Sequence, residues 1–213
     1  MAQSVVKIDV VSDVICPWCF LGKRRLDKAL SLLPDIKAEI NFRPFFLDPT
    51  IPSEGLDRHA YMAAKFGEER LKTIHDPLIQ AGKEDGVPFH FDKITRTPNT
   101  MDAHRLLRWA KIEGKQQEIA ESLFMAYWSD GRDVGDHQVL ADIAGANGMN
   151  REGVLKAFAS EQDKNEVLAE TTQAQQIGVT GVPTYILNRK YGVVGAQGAE
   201  MLAEQIRKAA SEN

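Results

Sequence analysis

Residues 5–11 form a short run rich in Val and Ile that stops at Ser12 and Asp13, the length and composition of a buried strand. At residue 17 the period changes. Leu26, Leu30 and Leu33 recur at steps of three and four, Lys23, Arg24, Arg25 and Lys28 fall on a polar face, and Pro34 closes the run. That pattern predicts a helix over residues 17–33 whose basic side is solvated. Residues 38–46 then alternate Ile40, Phe42 and Pro44 with polar positions until Asp48, Pro49 and Pro52 end the alternation, which predicts a second strand. Strand, helix, strand in this order pairs two parallel strands through a right-handed crossover.

Between residues 55 and 160 no strand pattern is found. Helical periodicity covers residues 57–80, with breaks expected at Gly67 and Pro77, then 100–112, 116–128, 138–147 and 151–158. Asn150 stands at an N-cap position, and Pro98, Asn99 and Thr100 introduce the segment with Leu106, Leu107 and Trp109. Trp109, Phe124, Tyr127 and Trp128 read as core of this block, and Phe45 and Phe46 as core near the first strand. Residues 161–177 predict a helix stopped by Gly178. Short strands at 184–187 and 191–194 flank the turn Asn188, Arg189, Lys190, and a last helix spans 198–210. The order β-α-β, helical block, α-β-β-α predicts an α/β fold. Residues 1–54 and 161–213 would build one sheet-forming domain around a helical insertion domain at residues 55–160.

Composition narrows the function classes. With 213 residues, 43% hydrophobic and 26% charged, the chain has an ordinary globular make-up rather than a disordered, collagen-like or disulfide-scaffold one. A net charge of -4 and the absence of a long basic run argue against nucleic acid as a partner. Apolar runs fall well short of the roughly 18 residues of a membrane span. The first residues show no basic segment followed by an apolar stretch, so the expectation is a cytoplasmic protein with no membrane association.

The chain has two cysteines, Cys16 and Cys19, in the run Cys16-Pro17-Trp18-Cys19 where the first strand gives way to the helix. Unpaired backbone N–H groups and the helix dipole stabilise an anion at that corner, which makes Cys16 the expected nucleophile. Pro17 suits the first helical turn because its missing N–H would lack an intrahelical partner. Cys19, one turn further in, is expected to be more buried and to act as the resolving thiol. Half of a zinc site is an alternative. No second such pair exists, however, and His59, His75, His90, His104 and His137 show no ligand spacing, so no metal is expected. An inert bridge closing a two-residue loop would constrain the unfolded chain little.

A second motif lies in Thr180-Gly181-Val182-Pro183-Thr184, just before the third strand, where a proline belongs at the first position. A cis Val182-Pro183 bond there would leave the Val182 N–H and C=O open to an extended peptide or to glutathione; a trans proline in a tight turn is the other reading.

Residues 12–24 with the Cys16-Pro17-Trp18-Cys19 run, residues 96–106 with Asn99, Thr100 and His104, and residues 178–185 together resemble the thioredoxin superfamily. The likeness extends through residues 195–197, and so over nearly the whole chain. It is to the DsbA-like branch with an inserted helical domain, and within it to the FrnE-type group. The resemblance implies a thioredoxin fold, Cys16 as attacking thiolate, Cys19 as its partner, Pro183 as the cis-proline facing them, and disulfide oxidoreductase activity. It also places Asn99, Thr100 and His104 on the insertion facing the cysteines, as substrate contacts beside Pro17, Trp18, Val182 and Pro183 or as groups that tune Cys16; the other reading is that Asn99 and Thr100 cap a helix and His104 is a satisfied half-buried histidine. Periplasmic DsbA proteins carry a histidine between their cysteines where this chain has Pro17-Trp18, so their strongly oxidising potential is not carried over. Kappa-class glutathione transferases and 2-hydroxychromene-2-carboxylate isomerases also resemble this chain in the insertion, though they generally use a serine where Cys16 stands. They give the alternative expectation of a glutathione-dependent isomerase or transferase acting on a small aromatic substrate. The expected partners are protein or small-molecule thiols and disulfides, with glutathione as a co-substrate and no resident cofactor. No motif fixes the oligomeric state, and a homodimer is left open.

Overall fold

The computed structural model describes residues 4–212. Four strands, β1 (Ser4–Ser12), β2 (Ile36–Pro44), β5 (Thr184–Leu187) and β6 (Tyr191–Val194), form one sheet in the order β2-β1-β5-β6. β1 runs parallel to β2, with Val10 beside Phe42, and antiparallel to β5, with Val10 beside Tyr185; β6 continues antiparallel, with Tyr185 beside Val193. Because side chains alternate along a strand, Val10, Phe42, Tyr185 and Val193 share one face and Val11, Arg43, Thr184 and Val194 the other.

The first face is the core of the molecule. Val6, Ile8 and Val10 pack with Leu26 and Ala29 of α1 (Pro17–Ser31) and with Leu202 and Ile206 of α10 (Ala199–Ser211). The second face carries a smaller cluster, in which Val11 and Phe45 meet Ala174 of α9 (Lys164–Gln176) and Val179.

Between β2 and α9 the chain forms seven helices: α2 (Arg58–Phe66), α3 (Glu68–Leu71), α4 (Asp76–Asp85), α5 (Met101–Ile112), α6 (Gln116–Trp128), α7 (His137–Ala146) and α8 (Arg151–Phe158). Asn150 caps α8 by accepting from Gly153 N at 3.1 Å. Two features differ from the sequence expectation. A two-stranded ladder of β3 (Leu56–Asp57) and β4 (Arg96–Thr97) lies inside this block; two residues are too few to show alternation. Pro77 begins α4 instead of breaking a helix, since its missing N–H costs nothing in a first turn.

The helical block is bonded to the sheet domain at several points. β2 is an edge strand, and the Gln116 side chain pairs with it, accepting from Phe42 N at 2.9 Å and donating to Phe42 O at 3.0 Å. One amide thereby closes part of an edge that would otherwise be open. Phe20 of α1 stacks on Phe124 of α6 with centroids 5.4 Å apart. Trp109, Phe124, Tyr127 and Trp128 are all buried. The basic face of α1 is not solvated as the sequence suggests. Lys23 and Arg24 pair with Glu121 of α6 at 2.9 and 2.5 Å, and Arg25 pairs with Asp85 of α4 at 2.7 Å. Among the described residues no helix is long and apolar enough to cross a membrane.

Candidate active site

Cys16 is the N-cap residue of α1, with extended backbone (φ -94°, ψ 113°), and Pro17 opens the helix. The turn before it is held from three sides. Cys16 N donates to Asp13 O at 3.1 Å, Trp128 Nε1 donates to Val14 O at 2.8 Å, and Leu47 N donates to Asp13 Oδ2 at 2.7 Å. Facing this corner, the Val182–Pro183 peptide bond is cis. The Cys16 thiol donates toward the Val182 carbonyl oxygen, with Sγ to O 3.7 Å, although 166 positions separate them in the chain. Trp18, between the cysteines, is 41% exposed.

Both cysteines are free, and their surroundings are unequal. Burial pushes the Cys19 thiol well above its ordinary value, and the neighbouring Cys16 pushes it further; the Ser12 hydroxyl and the Asp13 backbone oppose this without reversing it. Cys16, equally buried, caps the 15-residue helix without a side-chain hydrogen bond to its first-turn N–H groups, its thiol directed at the Val182 carbonyl. The pair therefore joins a sulfur at the helix cap, beside the proline loop, to one inside the first turn that burial keeps protonated.

Two features support this corner from behind. Gly22, one turn beyond Cys19, lets α1 lie directly on the proline loop; a Cβ there would stand 2.9 Å from Pro183 Cγ and would also collide with the Tyr185 hydroxyl. That hydroxyl is buried and has no hydrogen-bond partner. Its ionisation is strongly opposed, by burial first and then by Cys19. Behind the turn, His104 Nε2 lies 3.0 Å from Phe45 O and 3.5 Å from Asp13 Oδ1, its ring edge-on to Phe46 at 5.3 Å. The bond to a carbonyl requires the proton on Nε2.

The predicted site residues thus fall into two groups. Cys16, Pro17, Trp18, Cys19, Val182 and Pro183 come together at the end of β1, the start of α1 and the loop before β5. The other three stand one layer back. Asn99 uses both ends of its amide, donating to Ile51 O at 2.7 Å and accepting from Met101 N at 2.9 Å. Thr100 and His104 are buried, 2% and 4% exposed, which leaves them almost no surface for a substrate. Asp13, which links the turn to residues 47 and 104, could have been noticed as a carboxylate three places before the nucleophile. Among the described residues, no group of three or more His, Cys, Asp or Glu side chains converges as metal ligands would.

Known proteins are similar to this chain in sequence or fold. A probable DsbA oxidoreductase from Streptomyces coelicolor superposes with a TM-score of 0.90 at 31% identity, covering 98% of this chain and 91% of that one. Human glutathione S-transferase kappa 1 is 24% identical over 210 residues, 92% of this chain and 88% of its own. A 2-hydroxychromene-2-carboxylate isomerase has the same fold, with a TM-score of 0.74 at 18% identity over 97% of each chain. The model of the DSBA-like thioredoxin domain matches residues 7–207, which takes in both cysteines, Pro183 and all the helices between them, and the chain belongs to that family.

Proposed function

We propose that this protein is a thiol–disulfide oxidoreductase of the FrnE type, working through a mixed disulfide on Cys16. The observation that carries this reading is the asymmetry of the pair: Cys16 caps α1 beside the Val182 backbone, while Cys19 is buried one turn on and held as a thiol. In the reducing direction the Cys16 thiolate attacks a substrate disulfide. A bond forms between Cys16 Sγ and one substrate sulfur, the substrate S–S bond breaks, and the other sulfur leaves and takes up a proton. Cys19 then attacks Cys16 Sγ, its proton passing to the second departing sulfur. The substrate has gained two electrons and two protons, and the enzyme holds a Cys16–Cys19 disulfide.

Val182 supplies backbone groups for an extended substrate beside Pro183, and Pro17 and exposed Trp18 supply the apolar contact. Asn99, Thr100 and His104 act by position, bracing residues 45–51 and Asp13 against the helical block. A chain whose only two cysteines form the exchange pair fits a reducing compartment, the cytoplasm, with glutathione as the small thiol that restores the dithiol. The substrates are disulfides of proteins or small molecules, with no role for nucleic acid.

The first measurement is the reduction potential, from thiol counts across graded glutathione buffers. A reversible two-electron transition is expected, with a midpoint between roughly -270 and -120 mV. Cys16→Ser is expected to abolish exchange, and Cys19→Ser to accumulate mixed disulfides. Full turnover by both single variants would overturn the assignment.

A second reading is glutathione-dependent isomerisation or transfer on a small aromatic substrate, favoured by the likeness to the kappa transferase over 92% of this chain. It predicts that Cys19→Ser keeps glutathione-dependent turnover of the aromatic substrate while disulfide exchange is lost.

A further inference from the structure

The second face of the sheet is only half covered. α9 lies over β2 and β1, and Gly178, with φ 93°, turns the chain away before the helix reaches β5 and β6. A cavity of about 500 Å³ remains, within the usual range of small-molecule sites. Val11 and Ile186 floor it, and Ala174, Ile177 and Val179 form an apolar wall. It opens on the side of the sheet opposite α1 and so is separate from the cysteine pair.

Gly192 lies in β6 along this cavity. A glycine inside a strand weakens it and marks a place where a ligand or another backbone comes close. A Cβ at Gly192 would meet nothing within 4 Å, so neighbouring packing does not account for the missing side chain.

The charges along the rim are unequally matched. Arg43 pairs with Glu170 at 3.4 Å and donates to Gln173 at 2.7 Å, and Asp9 accepts from Asn41 at 2.7 Å. Arg189 and Lys190, at the β5–β6 turn, line the same cavity and have no ion pair or hydrogen bond to their side chains among the described residues. We infer that this cavity binds an amphipathic carboxylate, with its apolar body on Val11, Ile186 and Ile177 and its carboxylate against Arg189 and Lys190. An apolar floor alone would accept a neutral chain equally well; two unmatched cations at one end select an anion and set its direction.

The test is calorimetric titration of the full-length reduced protein with decanoate below its micelle concentration, with decanol and butyrate as comparators. One-to-one saturable binding of decanoate is expected, about tenfold weaker for decanol and undetectable for butyrate. Gly192→Leu fills the open space and is expected to abolish binding, while Arg189→Gln with Lys190→Gln weakens it about tenfold. Both variants are expected to keep the thiol-exchange rate and near-ultraviolet dichroism of the parent, which excludes misfolding as the cause. Absence of saturable binding, or unchanged binding in Gly192→Leu, would refute the proposal. So would a sedimenting dimer that Gly192→Leu dissociates, because a second copy would then be the occupant of this face.

Discussion

Cys16 and Cys19 are the same residue type three positions apart and are equally shielded, each 3% exposed, so the greater burial expected of Cys19 is not seen and what separates them is position, Cys16 at the helix cap and Cys19 inside the first turn. Because burial is the leading cause of the raised Cys19 value, the shift should survive removal of Cys16. In Cys16→Ser, alkylation of Cys19 by iodoacetamide is expected to be slow at pH 7 and to accelerate about tenfold per pH unit on passing above the ordinary thiol range near 8.5. The sign follows from the neutral form being favoured in the fold: stability from the protonated thiol is present below the unfolded value and is lost as pH rises through the folded one. Alkylation at pH 7 as fast as that of a free thiol would contradict the structure.

Among the elements, α5 is tied to the return of the chain by Arg108 and Trp109, which bond Asp163, and by the buried cation of Arg105. Arg105 is fully buried, and its guanidinium donates to Gln162 O at 2.7 Å, Ala157 O at 2.9 Å, Ser160 O at 2.8 Å and Asp102 Oδ1 at 2.6 Å. It also lies over the Trp109 and Phe158 rings, 5.1 and 5.6 Å from their centroids. These bonds close the end of α8 and aim the chain into α9, and so toward the loop that carries Val182. Arg105→Met keeps much of the volume but strands the Ser160 and Gln162 carbonyls, while Ala157 O keeps its bonds from Ser160, and is expected to cost about 3 kcal/mol in urea denaturation. A loss below about 0.5 kcal/mol would show that solvent replaces the guanidinium. Arg105 has no distinctive sequence signal: it looks like any polar position of a helix until the tertiary fold brings residues 157–162 around it.

Across the whole molecule, the helical block and the sheet domain behave as one packed body because the interface is both apolar and charged. Phe20 and Phe124 stack, and Glu121 sits between Lys23 and Arg24. Glu121→Ala leaves buried Lys23 with Asp27 as its remaining carboxylate and takes the ion pair from Arg24, and is expected to lower stability by about 1 kcal/mol with an unchanged denaturant slope. A biphasic transition would mean that the two parts unfold separately and that the contact is dispensable. The same interface holds the active-site turn, since Trp128 reaches from α6 to Val14.

The order of elements was legible in the one-dimensional pattern, because strand and helix periods are local properties. The segments expected at 116–128, 151–158, 184–187 and 191–194 coincide with the observed elements. The cysteine pair was legible for a similar reason: strand end, Cys16, Pro17 and helix are contiguous, so the chemistry of the N-terminus is written along the chain. The sequence left open whether Asn99 and His104 meet a substrate or are satisfied inside the fold, and it could not tell that Lys23, Arg24 and Arg25 of α1 face Glu121 and Asp85, or that α9 leaves half a sheet face open. Each of those depends on which distant surface a helix meets. That choice is made by the packing of side chains more than fifty positions apart, and a local period does not encode it.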